Sequence, residues 1–553
     1  MRLSSRGWLA IHLGTLVVAF AILFVLNIHA WFIGDEWDMI VRATQPLTIH
    51  ALFAPHNEHW STVPILIYRI LVDLFGLRTY VPYLCVLFAA HLCLAHLLWR
   101  LMRQVGASDA CATALAAIFA VLGAGAQNLT NAFQVSFVIS VTVGIGAVLL
   151  VNVESLKSAQ RQTGVVALML LGLMSSNVGI TMTVFVGLVV FFRHGFRLAM
   201  WLVAIPALAY IVWFITFGFS SLSTDRITIA TVLALPAYVW MGFTSSMTRF
   251  TGVTESGGAI VVGILGYATW KSAAASTRES PAFAGVLSVI VLFLSAGLVR
   301  TFLGTSQATA TRYAYIAIAL LLPIFALGIM DLRNRAGGHF GLILGTVVVV
   351  LIAGSNLAQL RAFALLLRPL EQTSQEEVFA AAILVRDHAP ITQPAPAKQL
   401  NPYVDEAALR AIVQAGLLPH SLRADEGAQL NAEMTWQTAA TATALTPTKS
   451  DAIRVVTVDG SPATPGANGC LSASKPGGAT VYVSTAAPTA LDVLPSSGTS
   501  IEIQLRAGRP NATVGVPTSF PISPTRQTYI DLLGKTMNVT LTFSNSKFQL
   551  CGL

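Results

Sequence analysis

Three acidic side chains stand within four positions in GDEWDMI, residues 34–40: Asp35, Glu36 and Asp38. They follow the run WLAIHLGTLVVAFAILFVLNIHAWFI, which holds no Asp, Glu, Lys or Arg, in a chain of which only 10% is charged. A carboxylate at the bilayer centre costs roughly 2.5–3.5 kcal/mol, and acids closing a helix C-terminus oppose its dipole. On a helix Asp35 and Asp38, at i and i+3, share a face, while Glu36 points elsewhere. Carboxylates clustered in a water-poor site raise one another's pKa, which suits a general base. A solvated helix end is the plain alternative.

Two further polar clusters accompany the acids. The loop ALFAPHNEHWSTVP carries His56, Asn57, Glu58 and His59. Its H-x-x-H spacing is a weak zinc signal; binding a polar acceptor, or bracing the carboxylates, fits these residue types better. The stretch LVRTFLGTSQATATRYAYI, residues 298–316, has Arg300 and Arg312 on either side of a small polar loop. Such arginines either snorkel or grip a phosphate through bidentate hydrogen bonds. Tyr313 beside them can stack on a sugar or pack on lipid. The histidines of HLCLAH, His91 and His96, stand five apart, so a helix turns them to different faces and each needs its own partner. Asn177, and the polar turn with Gln127, Asn128, Asn131 and Gln134, are lesser candidates.

The elements that position these groups follow from hydropathy. The 553 residues are 55% hydrophobic with mean hydropathy +0.69, far too apolar for a soluble chain of this length. Apolar runs recur to about residue 360, several reaching the ~20 residues that cross a bilayer. The first is too long for a signal-peptide core, so it stays as a helix. Helices are expected at 8–33, 80–102, 108–126, 135–152, 164–175, 178–192, 197–217, 255–271, 282–301, 312–330 and 338–359, about eleven in all. The fifth and sixth form a short hairpin broken at Ser175-Ser176-Asn177. The segment 230–249 is read as apolar but lying along the outer surface. STVPILIYRILVDLFGL reads as an interfacial amphipathic helix.

Net charge is +8, but its distribution is topological. Arg2, Arg6, Arg100, Arg103, Lys157, Arg161, Arg193, Arg197, Lys271, Arg278, Arg333 and Arg335 fall in gaps that alternate with gaps holding Asp35, Glu36, Asp38, Glu58, Asp225 and Glu255. This positive-inside pattern sets the N-terminus in the cytoplasm and excludes nucleic acid as the explanation of the charge. Arg42, Arg226 and Arg249 are exceptions. Three domains result: a membrane domain over 1–360, a helical extracytoplasmic connector over 361–450 that includes ITQPAPAKQLNP, and a β-sandwich over 451–553. Short runs such as SIEIQL and NVTLTFS alternate as half-buried strands do. Cys470 and Cys551, the two cysteines of the outer domain, can close a loop of roughly 80 residues in an oxidising compartment; Cys85, Cys93 and Cys111 read as small membrane hydrophobes. Asn128, Asn511 and Asn538 head glycosylation sequons.

Taken together, a first helix ending in Asp-Glu, an outer loop with an interfacial helix, a short hairpin and late outer arginines resemble the GT-C glycosyltransferases. The likeness is nearest to the branch of aminoarabinose lipid A transferases and protein O-mannosyltransferases, and DEWD…HNEHW is similar to a motif of bacterial members. It covers residues 1 to about 360. The resemblance implies a multi-pass enzyme of a bacterial plasma membrane that moves a sugar from a polyprenyl-phosphate donor to an envelope glycan, lipid or protein acceptor. It implies Asp35 as base with Glu36 as its partner, and Arg300 and Arg312 on the lipid phosphate. Asp38 departs from the usual pair and leaves the choice of base open. No cofactor is required, help from a divalent cation is left open, and no Walker or G-x-G-x-x-G loop supports a nucleotide donor. The outer sandwich resembles glycan-binding domains of actinobacterial arabinosyltransferases. A second reading is a non-catalytic scaffold or glycan-binding subunit; a transporter would want charges deep in its helices or repeated halves.

Overall fold

The computed structural model describes residues 4–151, 158–221, 227–273, 276–336, 338–391, 401–459, 461–463, 466, 469–473, 479–495, 501–508, 514–522, 527–544 and 548–552. Outside them lie Arg2, Lys157, Asp225 and Arg226 of the charge pattern, connector residues 392–400, and Asn511.

The helices are α1 (Ser5–Asn27), α2 (Glu36–Thr44), α3 (Ile49–Phe53), α4 (Thr62–Phe75), α5 (Val81–Val105) and α6 (Asp109–Ala120). Then come α7 (Gln127–Thr130), α8 (Val135–Val151), α9 (Ala159–Leu173), α10 (Val178–His194), α11 (Phe196–Trp213) and α12 (Ile229–Thr251). The last are α13 (Ser256–Ser272), α14 (Ser280–Arg300), α15 (Thr311–Ala336), α16 (Gly338–Arg386), α17 (Glu406–Gln414) and α18 (Glu426–Trp436). Among the described residues, eight helical stretches are long and apolar enough to cross a membrane, the pattern of a membrane protein. The expected total of about eleven also counted shorter pieces: α6 has 12 residues, α9 15, and α10 and α13 17 each.

Two compact units emerge. One comprises Met1–Ala30, Gln45–Leu74 and Thr79–Pro369; the other comprises Trp31–Thr44, Phe75–Arg78 and Leu370–Leu553. In the first, α8 packs on α5, α9 and α10, and α14 packs on α10, α12 and α15. The segment 230–249, read from the sequence as lying along the outer surface, has the length and composition of a membrane-crossing helix. It forms the 23-residue α12, packed on α13, α14 and α15. A helix with apolar partners on several sides gains more by burial than by lying at an interface. The helical hairpin breaks between α9 and α10 as its sequence requires, Ser140 Oγ lying 2.9 Å from Gly172 O and 3.0 Å from Ser176 Oγ. Basic gap residues converge: Arg193 Nε donates to Ser280 Oγ at 2.8 Å, and Arg278 donates to the carbonyls of Arg103 and Gln104. His91 sits between Tyr315 Oη at 2.8 Å and Ala120 O at 3.1 Å, whereas His96 meets His12 at 3.3 Å, so the two histidines make separate contacts. Gly123 lets the backbone of Asn356 in α16 approach so closely that a Cβ there would overlap its carbonyl.

The connector expected from residue 361 begins as helix. It continues α16, an unbroken 49-residue helix that tolerates Pro369. Strands also begin earlier than residue 451. They are β1 (Thr438–Thr441), β2 (Ile453–Val458), β3 (Ser461–Pro462), β4 (Cys470–Ala473), β5 (Ala479–Thr485) and β6 (Thr489–Pro495). The remainder are β7 (Ile501–Ala507), β8 (Val514–Ile522), β9 (Thr528–Leu532), β10 (Asn538–Phe543) and β11 (Phe548–Cys551). They form two antiparallel sheets, β1-β9-β6-β11-β4 and β3-β2-β5-β10-β7-β8. Leu491, Val493, Ile530, Leu532 and Leu550 of the first share one core with Val481, Val483, Ile503, Leu505 and Val539 of the second, which is a sandwich. Cys470 and Cys551 are register partners on β4 and β11 and are joined by a disulfide.

Candidate functional site

The acidic cluster belongs to the second unit. Helix α1 stops at Asn27, and the chain turns at Gly34, whose φ is +68°, a conformation that glycine adopts without strain. Glu36 and Asp38 therefore lie in the first turn of a new helix, α2, and not at the C-terminus of α1 as the hydropathy suggested. The reversal has a physical reason: carboxylates are stabilised at a helix N-terminus by the same dipole that penalises them at the other end. The three acids take three environments. Asp35 is exposed on the turn, Glu36 is fully buried, and Asp38 Oδ2 pairs with Arg42 Nε at 2.8 Å one turn along. They do not form one water-poor carboxylate set.

The neighbours of this turn come from the C-terminal half of the chain. Ser374 Oγ lies 2.8 Å from Phe32 O and 2.7 Å from Asn401 Oδ1, and Asn401 Nδ2 donates to Glu377 Oε2 at 2.8 Å. Two residues on, Tyr403 faces Asp35 and Asp38. Burial first, then those two negative charges, push its hydroxyl up to about 12, with Arg42 pulling the other way. Tyr403 thus stays a protonated donor beside the acids. Sequence reading missed it, because a lone tyrosine after a proline-bearing connector carries no local signal.

The other predicted residues belong to the first unit. His56 and His59 pair through their backbones, at 3.1 and 2.9 Å, with Asn57 at φ +50° and Glu58 forming the tip. Asparagine tolerates this left-handed backbone. Both rings lean on aromatics, His56 on Phe133 at 5.1 Å and His59 on Phe137 at 5.6 Å. Among the described residues no three His, Cys, Asp or Glu side chains gather as a metal-ligand set.

The tip brings two of the sequence clusters together. Arg300 Nη2, at the end of α14, lies 3.0 Å from Glu58 Oε2, with side chains 24% and 10% exposed respectively. Arg312, half-buried near the start of α15, has neither a hydrogen bond nor an ion pair of its own among the described residues. Its guanidinium lies over the Tyr313 ring at 5.1 Å. Tyr313 is itself buried against Phe293, so it packs on protein and not on open lipid. Tyr238 of α12, fully buried, completes the neighbourhood. Its ring sits where a Cβ on Gly297 would touch it, and its hydroxyl stands beside Tyr313. Placing 230–249 on the surface had hidden this residue. Asn128 is fully buried too, so it is no glycan acceptor, whereas Asn538 is exposed at the start of β10.

The first unit thus holds the Glu58–Arg300 pair with Arg312 nearby, and the second holds an acid-tyrosine cluster. No protein-family model matches this chain, and no curated protein sequence matches it.

Proposed function

We propose that the protein is an integral-membrane glycosyltransferase of GT-C type, acting on the outer face of a bacterial plasma membrane with its N-terminus in the cytoplasm and its sandwich domain outside. The donor is a polyprenyl-phosphate sugar, and the acceptor is an envelope glycan, lipid or protein. One observation carries this reading: Arg312 is a half-buried guanidinium with no acidic partner among the described residues, within a chain of membrane-length helices. Removing a cation from water without a counter-charge is costly, and a lipid phosphate supplies that charge at the interface where the isoprenoid tail meets water.

In the mechanism that the GT-C likeness implies, a carboxylate base, which that likeness assigns to Asp35, removes the proton of an acceptor hydroxyl. The hydroxyl oxygen bonds to the anomeric carbon as the bond to the phosphate oxygen breaks. The phosphate leaves with the electron pair, stabilised by Arg312 and Arg300. A single displacement inverts the anomeric centre. Glu36 behind the turn and Asp38, held by Arg42, shape the field around Asp35. His56, Asn57, Glu58 and His59 serve acceptor or donor contacts. The test is incubation of the purified protein with a panel of polyprenyl-phosphate sugars and envelope acceptors, read by mass spectrometry. Transfer that survives in Asp35→Asn with near wild-type turnover rejects the base assignment. Glycan binding with no transfer from any donor favours the scaffold reading.

A further inference from the structure

The tip of the α9–α10 hairpin holds an asparagine whose backbone N–H and side-chain amide reach outward to other segments, while its carbonyl accepts from Ile180 N–H within α10. Asn177 N–H donates to His59 Nδ1 at 3.2 Å, and Asn177 Nδ2 donates to the Glu58 carbonyl at 2.8 Å. Tyr210 Oη of α11 donates to Asn177 Oδ1 at 3.2 Å. Further along, Val63 N–H donates to Met174 O at 3.0 Å. The loop is therefore gripped on both sides of Trp60, whose ring stacks on Trp213 with centroids 5.1 Å apart and planes 3° from parallel. Trp213 Nε1 donates to Phe53 O at 2.8 Å, tying the loop's beginning to α11 as well.

We propose that Asn177 is the positioning residue of the Glu58–Arg300 pair, and that it locks His59 as the neutral tautomer protonated on Nε2. The inference rests on reading that pair as part of the donor-phosphate site. A backbone N–H can only donate, so Nδ1 of His59 must keep its lone pair, and the ring proton falls on Nε2. An imidazolium would set two N–H groups against each other. At Glu58, the bond to the backbone carbonyl fixes the residue while leaving its carboxylate to meet Arg300 at 3.0 Å. Fixing two adjacent loop residues before any ligand arrives removes ordering cost from the binding step. The break between two short helices gains a purpose: it carries an asparagine with both amide groups facing outward, at a backbone irregularity whose polar groups are satisfied.

The test uses the full chain in lipid nanodiscs. Asn177→Asp keeps the acceptor for Tyr210 and the backbone N–H for His59 but loses the donor to Glu58. Asn177→Ala loses both side-chain bonds, and Tyr210→Phe loses only the third. A double-mutant cycle of Glu58→Gln with Arg300→Gln, read as thermal unfolding, measures coupling in each background. The expected result is clear coupling in the wild-type chain, reduced by half or more in Asn177→Asp and Asn177→Ala. Undiminished coupling in both overturns the positioning role. Nitrogen NMR of histidine-labelled protein, with His59→Gln to assign the signal, should find Nδ1 of His59 unprotonated; a protonated Nδ1 overturns the tautomer. Neither readout needs transfer activity, so a chain that transfers no sugar but shows both results sinks the glycosyltransferase reading alone.

Discussion

Glu58 Oε2 and Arg300 Nη2 lie 3.0 Å apart although 242 positions separate the two residues in the chain. The pair is neither solvent-washed nor sealed, with side-chain exposures of 10% and 24%. Exposed pairs contribute about 0–1 kcal/mol, whereas breaking a buried one costs about 3–5 kcal/mol. Glu58→Gln should therefore cost on the order of 1–3 kcal/mol of stability, by interpolation between those limits. It should also free Arg300 for an anion. Thermal unfolding and binding of a short-chain prenyl phosphate measure the two effects, and weaker phosphate binding in Glu58→Gln would reverse the role given to Arg300.

Arg312 should matter to the donor and not to the acceptor. Hydrogen bonds to charged groups contribute about 1.5–3 kcal/mol, so Arg312→Ala should weaken prenyl-phosphate binding on the order of 10–150-fold. Arg312→Lys keeps the charge and should recover part of the loss, since the fork geometry is gone. Equal losses of donor and acceptor affinity would argue for a general structural defect.

Asp35→Asn should lower transfer by about 10²–10⁴-fold, the range of general-base contributions, far more than any accompanying change in unfolding temperature from its interaction with Tyr403 accounts for. Asp38→Asn breaks the i,i+4 pair with Arg42, whose side chains are about as shielded as those of Glu58 and Arg300, and should cost on the order of 1–3 kcal/mol by the same interpolation, leaving most transfer intact. If Asp38→Asn is the more damaging for turnover, Asp38 and not Asp35 is the base.

Tyr403 predicts an alkaline sensitivity. Its hydroxyl is pushed up to about 12 from an ordinary value of 10. A raised folded-state value means that the contribution is complete below pH 10 and fades as pH climbs through 12. Between those limits the wild-type chain should lose stability faster than Tyr403→Phe. Denaturant unfolding at pH 8 and pH 11 compares them, and parallel losses would show that the fold does not hold the hydroxyl protonated.

The Cys470–Cys551 bond closes a sequence separation of 81 residues. Loop-entropy estimates for a closure of that length give about 4 kcal/mol, less any native strain. Cys470→Ser with Cys551→Ser should lower the unfolding temperature of the sandwich and expose its C-terminal strand to protease, with no reductant effect remaining. An unchanged protease pattern would show that pairing of β11 with β4 and β6 suffices without the bond.

Much of this molecule is legible from residue order. Apolar length marks the helices, a Ser-Ser-Asn break marks the hairpin, and alternation in SIEIQL and NVTLTF marks strands, because each depends on local periodicity against water or lipid. The acids and arginines of the candidate site also stand out, since charge is scarce in a chain that is 10% charged. Four matters were settled only by tertiary packing. Whether 230–249 packs in the bundle depends on α13, α14 and α15 being there to cover it. Glu36 and Asp38 open a helix and do not close one, because a glycine turn intervenes. Glu58 meets Arg300, and Asn177 meets His59, through chain reversals that no local pattern encodes. Periodicity is a property of neighbours in sequence, while a site is made of neighbours in space, and long-range closure alone converts one into the other.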